Sequence, residues 1–223
     1  MSILNALRCS YGALRALAGI SGFFNLFCPR FDRKKNAAVR SQAALPDGLL
    51  NGQGLGALAA LPYGAWNIGS NGCEVIAVYN ALQALGRPAP FTELADALER
   101  RGLLFNGFGG TNLSAAVACL RAHGVDVAVL RRRDRAQFDA ALAASGCAIL
   151  SYWTGPTLRR ADGSWNTLHT VAVLRGANGV EVCNFANDSP EPCHCASLEM
   201  FLRREGGEPV CLFALDRRPD AAR

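Results

Sequence analysis

Between residues 73 and 85 the apolar positions recur at helical spacing. Val75, Val78, Tyr79, Leu82 and Leu85 follow the i, i+3, i+4, i+7 pattern. Ile76, Ala77, Ala81 and Ala84 fill the other faces with apolar or small side chains. A helix that is apolar all round belongs inside the fold. Asn71 reads as its N-cap, with Glu74 three residues on completing a capping box. Gly86 followed by Pro88 stops it. Shorter helices are expected over about 92–101, capped by Thr92, and over about 112–123, ended by Gly124. "VDVAVL" alternates like a strand, and Asp134 with Gln137 opens a further helix that Gly146 closes. The period then changes to that of strands: "CAILSYW", a polar loop, "TLHTVAVL", the turn "GANG" and "VEVCNF". A last helix near 197–204 and the strand "PVCLFAL" finish the pattern. Helices first, then a mostly antiparallel sheet, make an α+β architecture.

Upstream the pattern loosens. Residues 1–28 read as helical, "RFDRKKNAAVRSQ" is basic and polar, and "LPDGLLNGQGLGALAALPYG" reads as loop. A soft boundary is therefore expected near residue 60, with a helical and loop extension over 1–60 and the main domain over 61–223. The uncharged "ALAGISGFFNLFC" at 16–28 falls short of the roughly 18 apolar residues of a membrane span. It reads as an amphipathic helix for docking on the domain, a partner or a membrane surface. The core of a signal peptide is the competing reading, against which stand a weakly basic lead and no A-x-A site.

Composition narrows the class. Half of the 223 residues are hydrophobic and 18% are charged, enough apolar matter for a sizeable core. A net charge of +5 without a concentrated patch argues against a nucleic-acid partner, and "RRRDR" at 131–135 reads as a solvated loop entering a helix. Nine cysteines cannot all pair internally, and most sit in apolar runs such as "VACL" and "SGCAIL". They read as reduced core thiols, so a reducing, cytoplasmic location is expected. "CHC" at 193–195 with Cys183 nearby invites zinc, but its alternating spacing does not suit a structural site; no metal or other cofactor is expected.

Cys73 stands apart from the other thiols because it follows "SNG" at a helix start. Unpaired N–H groups and the positive end of the helix dipole lie there and favour thiolate, the nucleophilic form. His169 is a polar residue in the apolar strand "LHTVAVL", placed to project from a sheet edge into a cleft as a base. The "GANG" hairpin pairs His169 with an even-numbered residue and puts 184, 186 and 188 on its face. Asn184 and Asp188 are thus both candidates to orient the imidazole, and Asn187 is not. Trp66, Tyr152, Trp153 and Trp165 flank these segments, and the glycines of the loop "FNGFGGTN" allow close approach of a substrate backbone. Trp66, Gly72, Gly109 and Trp153 are the expected substrate-binding positions.

The order Cys at a helix start, His on a strand and Asn or Asp about fifteen residues on resembles the papain-like cysteine peptidases. More narrowly, "WNIGSNGCEVIAVYNALQALG", "FGGTNLSAAVACLRAHG" and "LHTVAVLRGANGVEVCNF" resemble the bacterial bacteriocin-processing (double-glycine) peptidase group over roughly residues 62–190. The resemblance implies a papain-like fold in which a central helix carrying the Cys packs on a sheet carrying the His and Asn. It implies Cys73 as nucleophile, His169 as base, Asn184 as orienter and a peptide or protein substrate. Isopeptide cleavage, deamidation and acyl transfer use the same apparatus, and a weakly active binding module is the alternative. Two positions depart from the family pattern. Where the family has an oxyanion-binding Gln six residues before the Cys, this chain has Asn67, and after the Cys it has Glu74 in place of Gly. A Glu74 turned inward would raise the thiol pKa.

Overall fold

The protein is described by a computed structural model covering residues 10–16, 28–45, 47–107, 109–156 and 166–217. Most of the expected helix over 1–28, and Trp165, lie outside the described residues; 11–16 are helical, and the Tyr11 ring packs edge-on against Phe213. The architecture is α+β, with helices packed on an antiparallel sheet.

The helices are α1 Arg33–Arg40, α2 Gly56–Ala60, α3 Ile68–Asn71, α4 Cys73–Ala84, α5 Phe91–Arg101, α6 Leu113–Ala122, α7 Phe138–Ser145 and α8 Leu198–Arg204. A short hairpin pairs β1, Pro62–Tyr63, with β2, Trp66–Asn67. The main sheet holds β3 Val125–Arg131, β4 Cys147–Trp153, β5 Leu168–Gly176, β6 Gly179–Cys183, β7 Cys193–Cys195 and β8 Glu208–Arg217. Its order is β3-β8-β4-β5-β6-β7, antiparallel throughout.

The all-round apolar pattern places α4 as expected. Residues 73–82 of this helix are all buried, between the sheet on one side and α5 and α6 on the other. At about 1.5–3 kcal/mol for each buried Val, Leu or Ile, this helix is a main source of cohesion. Strand alternation splits the sheet into two apolar faces. Cys147, Ile149, Cys211 and Phe213 face α4, while Ala148, Leu150, Tyr152, Val171 and Val173 face α7 and α8.

Two local expectations are corrected, and one strand is added. The N-cap of α4 is Gly72 with no side-chain cap bond, and Asn71 belongs to α3, so the capping box does not form. The N-cap of α5 is Pro90, with Thr92 inside the first turn. "CHC", not expected as a strand, is the edge strand β7.

The stretch read as extension also feeds the core. Leu50 and Leu58 join the cluster around α4, and Asn80 exchanges hydrogen bonds with the Leu50 backbone. In α1, Arg40 is fully buried against Glu99 of α5, with nitrogen–oxygen distances of 2.9 and 3.3 Å. Glu99 also accepts from Asn36 Nδ2 and Gly64 N–H, both at 2.7 Å, and Arg40 donates to Pro62 O. This polar knot fixes the β1–β2 hairpin, which leads directly into α3 and Cys73.

Candidate active site around Cys73 and Glu74

Cys73 is the first residue of α4, and its placement follows from how α3 and α4 meet. Gly72 joins them so tightly that an added Cβ would lie 2.7 Å from Ile68 Cγ2. Gly72 is buried by this packing, which gives it a structural role at the junction. Because Gly72 caps with no side chain, the first N–H groups of α4 stay available to Cys73 and Glu74.

The Cys73 thiol donates to Glu74 Oε2 at 3.0 Å. Burial pushes its pKa well up, and the charge and hydrogen bond of Glu74 push it further. The backbone N–H groups of Thr170 and Glu74 oppose this without prevailing. The inward-turned Glu74 therefore acts on the thiol as its chemistry dictates.

Glu74 is itself buried, and burial raises its pKa to about 7 against donation from Cys73, its own N–H, Thr170 and Thr111. The Thr170 hydroxyl lies 3.4 Å from Oε1 and 3.1 Å from Ser151 Oγ. Thr111, whose hydroxyl lies 2.6 Å from Tyr63 OH, supplies its N–H from the 102–112 loop. That loop closes over the carboxylate at Gly110, where φ is +74° and an added Cβ would stand 4.0 Å from Oε2.

His169 sits one residue before Thr170 on β5. Consecutive strand side chains point to opposite faces, so Thr170 faces α4 while His169 faces Tyr152, its cross-strand partner. The His169 and Tyr152 rings lie 6.0 Å apart, edge to face. His169 Nε2 donates to the backbone carbonyl of Asn184 at 2.7 Å. A carbonyl only accepts, so Nε2 carries the proton and Nδ1 is left as the basic nitrogen. Burial lowers the His169 pKa, with the Asn184 carbonyl opposing, and the ring rests neutral at physiological pH. Among the described residues the thiol and the imidazole share no hydrogen bond: the one bonds Glu74, the other Asn184.

The hairpin register agrees with the sequence reading. Gly176 pairs with Gly179 and Ala172 with Cys183, a register that sets an even-numbered position opposite His169. The ladder stops there because Asn184 turns to a φ of +58°. Its side chain consequently leaves the imidazole, accepting from Gln53 N–H at 2.9 Å and donating to Gln53 Oε1 at 3.2 Å, while its own N–H donates to Asn51. Asn184 thus holds His169 through its main chain, a correction to the side-chain role expected of it. Asp188 is exposed and is not brought to the ring. Gln53, which also donates to Gly69 O, links β6 to the α3 turn before Cys73 and was missed from sequence because it lies in a stretch read as loop.

The remaining positions divide. Asn67 Oδ1 caps α3, accepting from Ser70 N–H at 2.9 Å and Ser70 Oγ at 3.0 Å. Its Nδ2 is the only part left to serve as an oxyanion donor. Trp66 is 45% exposed beside Gly107, and Gly109 is exposed in the same loop, so both are open to a ligand. Trp153 instead packs against the α4 core. At "CHC" the Cys193 and Cys195 sulfurs lie 3.5 Å apart and Arg204 donates to Cys193, while Cys183 turns to Glu181.

Comparison with protein-family models, curated proteins and solved structures found no match.

Proposed function

We propose that this chain is a cysteine peptidase-like hydrolase of papain-like fold, cleaving a peptide or related amide bond through Cys73. One observation carries the reading. The Cys73 sulfur, at the start of the buried central helix, meets the N–H of Thr170, and the next residue back is a neutral His169 with its tautomer set by the Asn184 carbonyl. A nucleophile on α4, a base on β5 and an orienting carbonyl just after β6 thus stand on neighbouring elements.

In this reading the sulfur attacks the carbonyl carbon, the amine departs, and water hydrolyses the thioester. The N–H groups at the α4 start and Asn67 Nδ2 face the developing oxyanion, a contribution of about 10²–10³ in rate for each donor. His169 Nδ1 is free to move protons. Trp66 and the exposed loop at Gly109 offer a surface for the substrate chain. The buried, unpaired thiols fit a reducing compartment such as the cytoplasm. No helix among the described residues is long and apolar enough to cross a membrane.

A second reading is favoured by the raised thiol pKa and by Asn67 standing where the family has Gln: a papain-like binding module with feeble turnover. Iodoacetamide labelling near neutral pH, with mass-spectrometric mapping, separates the two. The enzyme reading expects Cys73 to be modified faster than any of the other eight thiols. Equal or slower modification contradicts it.

A further inference from the structure

We infer that Glu74 is the group that takes the proton from Cys73 when the sulfur attacks. This rests on the reading of Cys73 as nucleophile and changes which residue serves it. The geometry is direct, since Glu74 Oε2 already accepts the thiol at 3.0 Å, whereas His169 bonds the Asn184 carbonyl and shares no hydrogen bond with the thiol among the described residues. A family pattern with Gly after the Cys has no such group, so this role belongs to the chain's own residue at position 74.

Charge balance favours the assignment. Before attack the buried site carries one negative charge on the Glu74 carboxylate. As the S–C bond forms, the thiol proton passes to Oε2 and the carbonyl electron pair moves onto oxygen. The site again carries one negative charge, now on the oxyanion. Proton transfer to His169 would instead leave a buried carboxylate beside a new oxyanion, with an imidazolium across the sheet. On collapse the C–N bond breaks and the carboxylic acid returns its proton to the leaving nitrogen. Glu74, again a carboxylate, then accepts a proton from the water that attacks the thioester and returns it to the departing sulfur.

The surroundings suit a carboxylate that must gain and lose a proton. Its partners are the Thr170 hydroxyl and the N–H groups of Thr111 and Glu74 itself, all neutral. The titratable groups facing it are Cys73 on its own helix and Tyr63 on β1, with His169 one residue from Thr170 on β5. Tyr63 is held neutral by burial. Titration of Glu74 near neutrality, at about 7, matches the optimum for general-base work.

The test is the rate of Cys73 alkylation by iodoacetamide in the full chain from about pH 5 to about pH 10, in wild type, Glu74→Gln and His169→Asn. The expected wild-type profile climbs through an inflection near 7. His169→Asn keeps that inflection, and Glu74→Gln loses it and shows only a rise in the ordinary thiol range. A wild-type profile with a thiol-range rise alone overturns the inference without recourse to any variant. An inflection that His169→Asn abolishes overturns it as well, assigning the base to His169 and leaving the nucleophile in place. Should Glu74→Gln fail to fold, wild type and His169→Asn decide between these. If Cys73 never outpaces the other eight thiols at any pH, the nucleophile itself is wrong, and the role of Glu74 falls with it.

Discussion

Glu74 and Glu99 are both buried, 3% and 4% exposed, on helices that pack against each other, yet their surroundings differ in kind. Glu99 meets the Arg40 guanidinium through both oxygens and gathers Asn36 Nδ2 and the Gly64 N–H besides. Glu74 has a thiol, a hydroxyl and two backbone N–H groups around it, and among the described residues no Lys or Arg. An ionised carboxylate inside a protein demands a countercharge or neutralises itself. Glu99 has the countercharge and works as a clasp between α1, α5 and the β1–β2 hairpin. Glu74 lacks one, and its proton affinity rises into the range where chemistry happens. One arrangement holds the hairpin that leads to Cys73, and the other adjusts Cys73 itself.

The sharpest way to break the comparison is to remove the cation. Arg40→Ala leaves Glu99 buried and unpaired, and is expected to cost about 3–5 kcal/mol in urea denaturation at neutral pH. Glu74 should show its lack of a cation as pH dependence instead. Its native pKa stands above the unfolded value, so the unfolded chain releases the proton first as pH rises. Stability therefore falls between about 4.5 and about 7, by roughly 3 kcal/mol for a shift of this size. His169, whose native pKa is lowered, contributes in the other direction: its share is complete above the unfolded value of 6.5 and is lost on acidification. Denaturation of wild type and Glu74→Gln across this range isolates the Glu74 share, and the variant is expected to lose the fall.

Two smaller effects sharpen the picture. Asn67→Ala removes the α3 cap, about 1 kcal/mol by thermal denaturation. If Nδ2 holds the oxyanion, it also slows acylation by a fluorogenic amide about 10²–10³-fold; a stability loss with unchanged rate would confine Asn67 to capping. Asn184→Gly keeps both the positive φ and the carbonyl to His169 while deleting the bonds to Gln53. It is expected to cost only about 1 kcal/mol and to leave the pH profile of Cys73 alkylation in place.

Much of the frame was legible because it is periodic. The apolar faces from Val75 to Leu82 mark α4, and the turn around Ala177 and Asn178 sets the β5–β6 register. What escaped was decided by contacts distant in sequence. Asn71 and Glu74 have capping-box spacing, but the buried hydroxyl of Thr170, 96 residues on, and the 102–112 loop draw Glu74 inward. Asn184 occupies the expected face, yet Gln53, 131 residues earlier, draws its side chain away and leaves the carbonyl to the imidazole. Arg40 lies in a stretch that reads as basic and polar, and its complete burial is explained by distant partners, Glu99 and the Pro62 carbonyl.

The most direct measurement is a carboxyl 13C NMR titration of the wild-type chain labelled at glutamate, with Glu74 assigned by its loss in Glu74→Gln. The account predicts a Glu74 resonance that titrates near 7. A Glu74 that titrates in the ordinary carboxylate range, near 4.5, would show that the site holds a fixed charge and no proton acceptor for Cys73.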